Sequence, residues 1–187
     1  MAKKLSAATV KFCVANVLEQ IDEDFDHEGR GRAPLANQRQ ILATALAGVI
    51  VEEEVRNKKL TEVLALVNKG RKAMGMKPLK QLVAGEPSDS TNCPIYLSLH
   101  NALGNGAMSV DGNVVFNLSD RKYMNDEGEP NALHAKVVKM IKALGKAWGA
   151  KVVGEQTDFV IKSPKAIRAF ITDFDSGDYP ELDLSLR

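Results

Sequence analysis

The sequence predicts an α+β protein: a helical N-terminal half followed by a small antiparallel sheet of two hairpins packed with helices. Three observations carry that expectation. Up to residue 84, apolar residues recur at three- and four-residue spacings, the period of a helix buried along one face. Beyond a run of turn formers at 85–91, β-prone stretches come in pairs around short polar turns. The helical period then returns between and after those pairs. The resulting order of helix, hairpin, helix, hairpin, helix suits helices laid on one face of an antiparallel sheet.

The first helix is expected over Leu5–Ile21, where Val10, Cys13, Val14, Val17 and Ile21 form one stripe and Ser6 can cap the N-terminus. The acidic stretch Asp22-Glu23-Asp24-Phe25-Asp26-His27-Glu28 opposes the helix macrodipole and should fray its end. Gly29-Arg30-Gly31-Arg32-Ala33-Pro34 reads as a loop. A second helix spans Leu35 to about Arg56, with Ile41, Leu42, Ala45, Leu46, Val49 and Ile50 buried over much of its circumference. A third follows Asn57, with Leu60, Val63, Leu64 and Val67 on one face and Gly70 as its stop. Lys77-Pro78-Leu79 opens a short fourth helix, proline at its first position.

Gly85-Glu86-Pro87-Ser88-Asp89-Ser90-Thr91 resists helix and strand alike, so we divide the chain into 1–84, a linker at 85–91, and a small α+β domain over 92–187. Pro94–Leu103 reads as a helix ended by Gly104. Asp111-Gly112 turns one hairpin within Met108–Phe116. Leu133, Val137, Met140, Ile141, Leu144 and Trp148 mark the apolar face of another helix. Lys151–Val153 and Asp158–Ile161 make the second hairpin. Ser163-Pro164, as cap and N1 proline, begins a terminal helix buried through Ile167, Phe170, Ile171 and Phe174.

Composition narrows the function classes. A chain of 187 residues makes one domain or two small ones, and 44% hydrophobic with 26% charged residues excludes wholesale disorder. A net charge of +1 removes the simplest argument for a nucleic-acid or acidic-membrane binder. The start, Met-Ala-Lys-Lys-Leu-Ser, leads into amphipathic residues, so neither a secretory leader nor a membrane span of about 20 apolar residues is expected. Cys13 and Cys93 are too far apart for a metal knuckle or a disulfide framework, which points to a reducing, cytoplasmic setting. No Walker loop, Gly-x-Gly-x-x-Gly, His-Glu-x-x-His or Gly-x-Ser-x-Gly is present, and we expect no cofactor.

Four clusters remain. Asp22, Asp24 and Asp26 occupy the first, third and fifth places of an EF-hand loop. His27 stands where the turn needs glycine, and Ala33 where a bidentate glutamate is required. The set Asp22, Asp24, Asp26, His27 is thus at most a weak divalent-ion site, set against a solvated acidic helix end. Cys93 sits at a helix start, where backbone N–H groups can stabilise a thiolate; the competing reading is a small, semi-buried capping residue. Cys93-Pro94-Ile95-Tyr96 is similar to the Cys-Pro-Tyr turn of glutaredoxins, without a hydrophobic strand before it or a resolving cysteine after it. Lys69, Arg71, Lys72, Lys77 and Lys80 make residues 60–82 a candidate helix-turn-helix for nucleic acid, with Gly75 and Pro78 standing where a recognition helix should continue. Lys136, Lys139, Lys142 and Lys146 fall on one arc opposite the apolar stripe of their helix, fit either for an acidic partner or for plain solvation.

The Cys-Pro-Ile start and the ending Phe174-Asp175-Ser176-Gly177-Asp178-Tyr179-Pro180-Glu181-Leu182 carry a resemblance. Residues 92–182 are similar to small uncharacterised bacterial and phage proteins, while Leu99-His100-Asn101 and the loop Asp120–Asn131 depart from their compact pattern. The resemblance implies no activity; it suits an accessory protein better than a metabolic enzyme. We therefore read a non-enzymatic interaction or regulatory module, offering Lys136, Lys139, Lys142 and Lys146 to the acidic surface of a protein or nucleic acid. Self-association through the N-terminal helices is expected beside it. A DNA-binding regulator on residues 60–82 and a thiol-dependent enzyme using Cys93 are the alternatives.

Overall fold

The computed structural model describes residues 35–100 and 108–186. Among them, four α-helices and a four-stranded antiparallel sheet make an α+β fold. In order these are α1 (Leu35–Ala73), α2 (Pro94–His100), β1 (Met108–Asp111), β2 (Asn113–Asn117), α3 (Ala132–Trp148), β3 (Val152–Glu155), β4 (Asp158–Lys162) and α4 (Lys165–Asp175). No helix among the described residues is long and apolar enough to cross a membrane. The chain divides into two compact units, Met1–Lys58 and Lys59–Arg187. The expected Leu5–Ile21 helix, the acidic run, the loop at 29–34 and the side chains of Ile41, Leu42, Ala45, Leu46, Val49 and Ile50 lie outside the described residues.

Both hairpins form where the sequence places them. Val110 pairs with Val114 around Gly112, and Glu155 pairs with Asp158 around Gln156-Thr157. β2 then pairs with β4, which sets the strand order β1-β2-β4-β3. Alternation gives the sheet two different faces. Met108, Val110, Val114, Phe116, Phe159 and Ile161 are buried, whereas Asp111, Asn113, Asn117, Asp158 and Lys162 are exposed. One core joins the buried face to Val63 and Val67 of α1, Ile95 and Leu99 of α2, Val137, Ile141 and Leu144 of α3, and Ile167, Phe170 and Phe174 of α4.

α1 differs from expectation: the two helices predicted on either side of Asn57 are one, and Gly70 does not stop it. Gly70 is a contact residue. A Cβ there would fall 2.5 Å from Leu144 Cδ1 and 3.2 Å from Trp148 Nε1, so its bare backbone is what allows α3 to come this close. The stop is Gly75, at φ +81°. Met76 N–H donates to Arg71 O at 2.8 Å and Gly75 N–H to Lys72 O at 3.1 Å, the paired bonds of a glycine C-cap.

The helix expected to open at Pro78 does not form. Asn68 brackets the Leu79 peptide, its Nδ2 donating to Leu79 O at 2.9 Å and its Oδ1 accepting from Leu79 N–H at 2.7 Å, while Arg71 Nε donates to Lys77 O. These bonds satisfy the backbone in an extended course, overriding a local preference worth only tenths of a kcal/mol per residue. Ser163 does not cap α4: Pro164 is the N-cap residue without a side-chain bond, and Ser163 Oγ is buried without a partner among the described residues.

Residues 85–91 lie within the second unit and are tied down along their length. Gly85 N–H donates to Leu182 O and Leu184 N–H to Gly85 O; Ser88 N–H donates to Asp175 Oδ1, and Val110 N–H to Ser90 O.

Candidate partner-binding site

The α3 helix begins and ends as its sequence demands. Asn131 Oδ1 accepts from Leu133 and His134 N–H at 2.9 and 3.1 Å, and Gly149 closes the far end in the left-handed conformation. Its inner side carries His134, Val137, Ile141, Leu144 and Gly145, all buried. Two polar contacts fix its ends. His134 Nε2 lies 2.6 Å from Gln156 O in the β3–β4 turn, and Trp148 Nε1–H donates to Leu66 O at 2.9 Å. The indole is half-buried, as its place on the apolar side of α3 implied.

Lys136, Lys139, Lys142 and Lys146 are all exposed on the opposite side. At 100° and 1.5 Å per residue they occupy an arc of about 120° and a length of about 15 Å. None has a carboxylate within ion-pair reach among the described residues. Lys59 shows the contrast: its ammonium lies 2.9 Å from Asp173 Oδ2, and that bond and charge raise its pKa above the usual lysine value.

The second basic cluster is not a helix-turn-helix. Lys69 and Lys72 ride on α1, and Lys77 and Lys80 on the extended segment after it, all exposed; no recognition helix stands at 74–84. Arg71 is not a surface cation at all. It is buried, donating from Nε to Lys77 O at 2.8 Å and from Nη1 to Ser98 O, so it serves as a clasp between α1, the extended segment and α2. Burial pulls its pKa below the usual arginine value. The period of α1 carried the signal, since Arg71 follows Val63 and Val67 at four-residue steps on the buried stripe.

Cys93 occupies the N-cap position of α2, is buried, and its Sγ accepts from Tyr96 N–H at 3.4 Å. Burial pushes its thiol pKa up, against weaker opposing help from the Tyr96 and Ile95 N–H groups. The thiolate that a nucleophile needs is therefore scarce at neutral pH. In a Cys13→Ser background, we expect Cys93 to react with a thiol reagent at pH 7.5 about a hundredfold more slowly in the folded protein than in urea. Equal rates would contradict this. His100 does not serve as a base for it; its ring stacks on Tyr96, 4.7 Å between centroids.

Among the described residues no group of three His, Cys, Asp or Glu could hold a metal ion, and Asp22, Asp24, Asp26 and His27 lie outside them. Comparison of the chain with protein-family models, with curated proteins and with solved structures found no match.

Proposed function

We propose that the protein is a non-enzymatic interaction module that binds an acidic partner surface through the lysine face of α3. The observation that carries this reading is a ridge of four exposed ammonium groups with no carboxylate in ion-pair reach among the described residues, on a helix whose other side is locked into the core. Solvated lysines cost little to desolvate partly at an interface rim, and a fixed array of like charge steers an acidic surface to one orientation. The non-helical course of residues 74–84 weighs against the DNA-binding alternative, and the buried, capping Cys93 against the thiol enzyme.

The test is charge reversal. The variant K136E/K139E/K142E/K146E should fold with an unchanged thermal midpoint, because no native ion pair among the described residues is broken, and should lose roughly tenfold or more of the partner recovered from native lysate. Unchanged recovery retires the reading. Titration with duplex DNA separates the partner classes. Four phosphate contacts give a log affinity that falls with log salt at a slope of about −3.6, and no binding at low salt leaves an acidic protein.

A further inference from the structure

The sheet has one edge that the described chain leaves open. At the β1 edge, Val110 N–H donates to Ser90 O at 2.8 Å. β3 pairs with β4 on one side, and among the described residues no backbone hydrogen bond reaches its other side. Glu155↔Asp158 closes a two-residue turn, so Glu155 and Val153 direct their N–H and C=O groups toward β4, and Val152 and Gly154 direct theirs outward. Unpaired groups of this kind are a template for another strand.

The residues along that edge are complementary to themselves. Val153 and Glu155 lie on the outer face of the sheet, Lys151 immediately precedes β3 in the same alternation, and all three are exposed. Val153 is 57% exposed. It is the end of a row of valines, since Val153 pairs with Val160 and Val160 with Val115.

We propose that β3 is a self-pairing edge through which two copies of the chain join antiparallel about a twofold axis at Val153. That register sets Val152 opposite Gly154 of the second copy, so the outward backbone groups meet; glycine at 154 is required by its own hairpin, where φ is +108° and a Cβ would fall 2.0 Å from Asp158 O. Val153 meets its own counterpart, and the valine row of β2, β4 and β3 continues into that of the second copy, spanning the six central strands of an eight-stranded sheet with Ser109 at either end. Lys151 lies directly opposite Glu155 of the second copy, and by symmetry this ion pair occurs twice. A one-residue slip loses both charge pairs and turns the outward backbone groups away from each other. The surface is distinct from the lysine face of α3.

The experiment is a charge swap read by sedimentation equilibrium of the full chain. The wild type should reach twice the monomer mass of 20.3 kDa at micromolar to millimolar concentration. K151E and E155K each place like charges opposite one another at two sites, and each should weaken the dimer by about tenfold or more. The double variant K151E/E155K restores both pairs reversed and should return to within about threefold of wild type. Circular dichroism should be unchanged in all three, because both positions are exposed. A chain that stays monomeric throughout that range, a dimer indifferent to either single change, or a double variant no better than the singles overturns the proposal.

Discussion

Replacing Arg71 with leucine should destabilise the second unit by about 3 kcal/mol, read as a lower urea midpoint at unchanged slope. The leucine fills part of the space but leaves Lys77 O without its partner and Ser98 O without the charged donor that reaches it at the end of α2. A hydrogen bond from a charged donor contributes about 1.5–3 kcal/mol, and an abandoned buried carbonyl costs about 1–3 kcal/mol. Lysine should recover less than half of the loss, because one ammonium cannot straddle two carbonyls as a planar guanidinium does. A loss below about 1 kcal/mol for Arg71→Leu would show that the clasp is not what holds residues 74–84 in their non-helical course.

Trp148→Ala is expected to cost about 2 kcal/mol, below the range for a fully buried tryptophan because the indole is half-exposed. Trp148→Phe keeps the ring and loses the 2.9 Å bond to Leu66 O, so it should cost about 1 kcal/mol. Trp148 is the chain's one tryptophan, so its emission reports on the α1–α3 contact directly. Gly70→Val forces a side chain toward Leu144 and the indole, and should red-shift that emission in the folded protein. An alanine variant as stable as wild type, or an unshifted Gly70→Val spectrum, leaves α3 without its proposed anchor.

Where the sequence was legible, the signal was local. Asp111-Gly112 and the short polar stretch between Val153 and Asp158 announce hairpins because turn geometry depends on adjacent residues alone; the structure narrows the second turn to Gln156-Thr157. A period of 3.6 places the lysines of α3 opposite Val137, Ile141 and Leu144. The signal failed where a distant residue supplied the partner. Gly70 reads as a stop until Leu144 and Trp148 arrive against it. Pro78 reads as a helix start until Asn68 captures Leu79. Arg71, grouped with four surface lysines by composition, is a core residue because the carbonyls that satisfy it come from six and 27 positions further along the chain.

For the candidate site, the sequence by itself determined which residues share a face of α3 and that the face opposite the core is basic. The periodicity of a helix follows from backbone geometry and needs no neighbour. Only the tertiary structure decided that the four ammonium groups have no carboxylates against them among the described residues. It alone showed that Cys93 spends its sulfur on a helix cap, and that among the described residues no backbone hydrogen bond reaches the outer edge of β3. Each of these turns on what lies across space from a side chain or a strand, and spacing along one chain does not encode that.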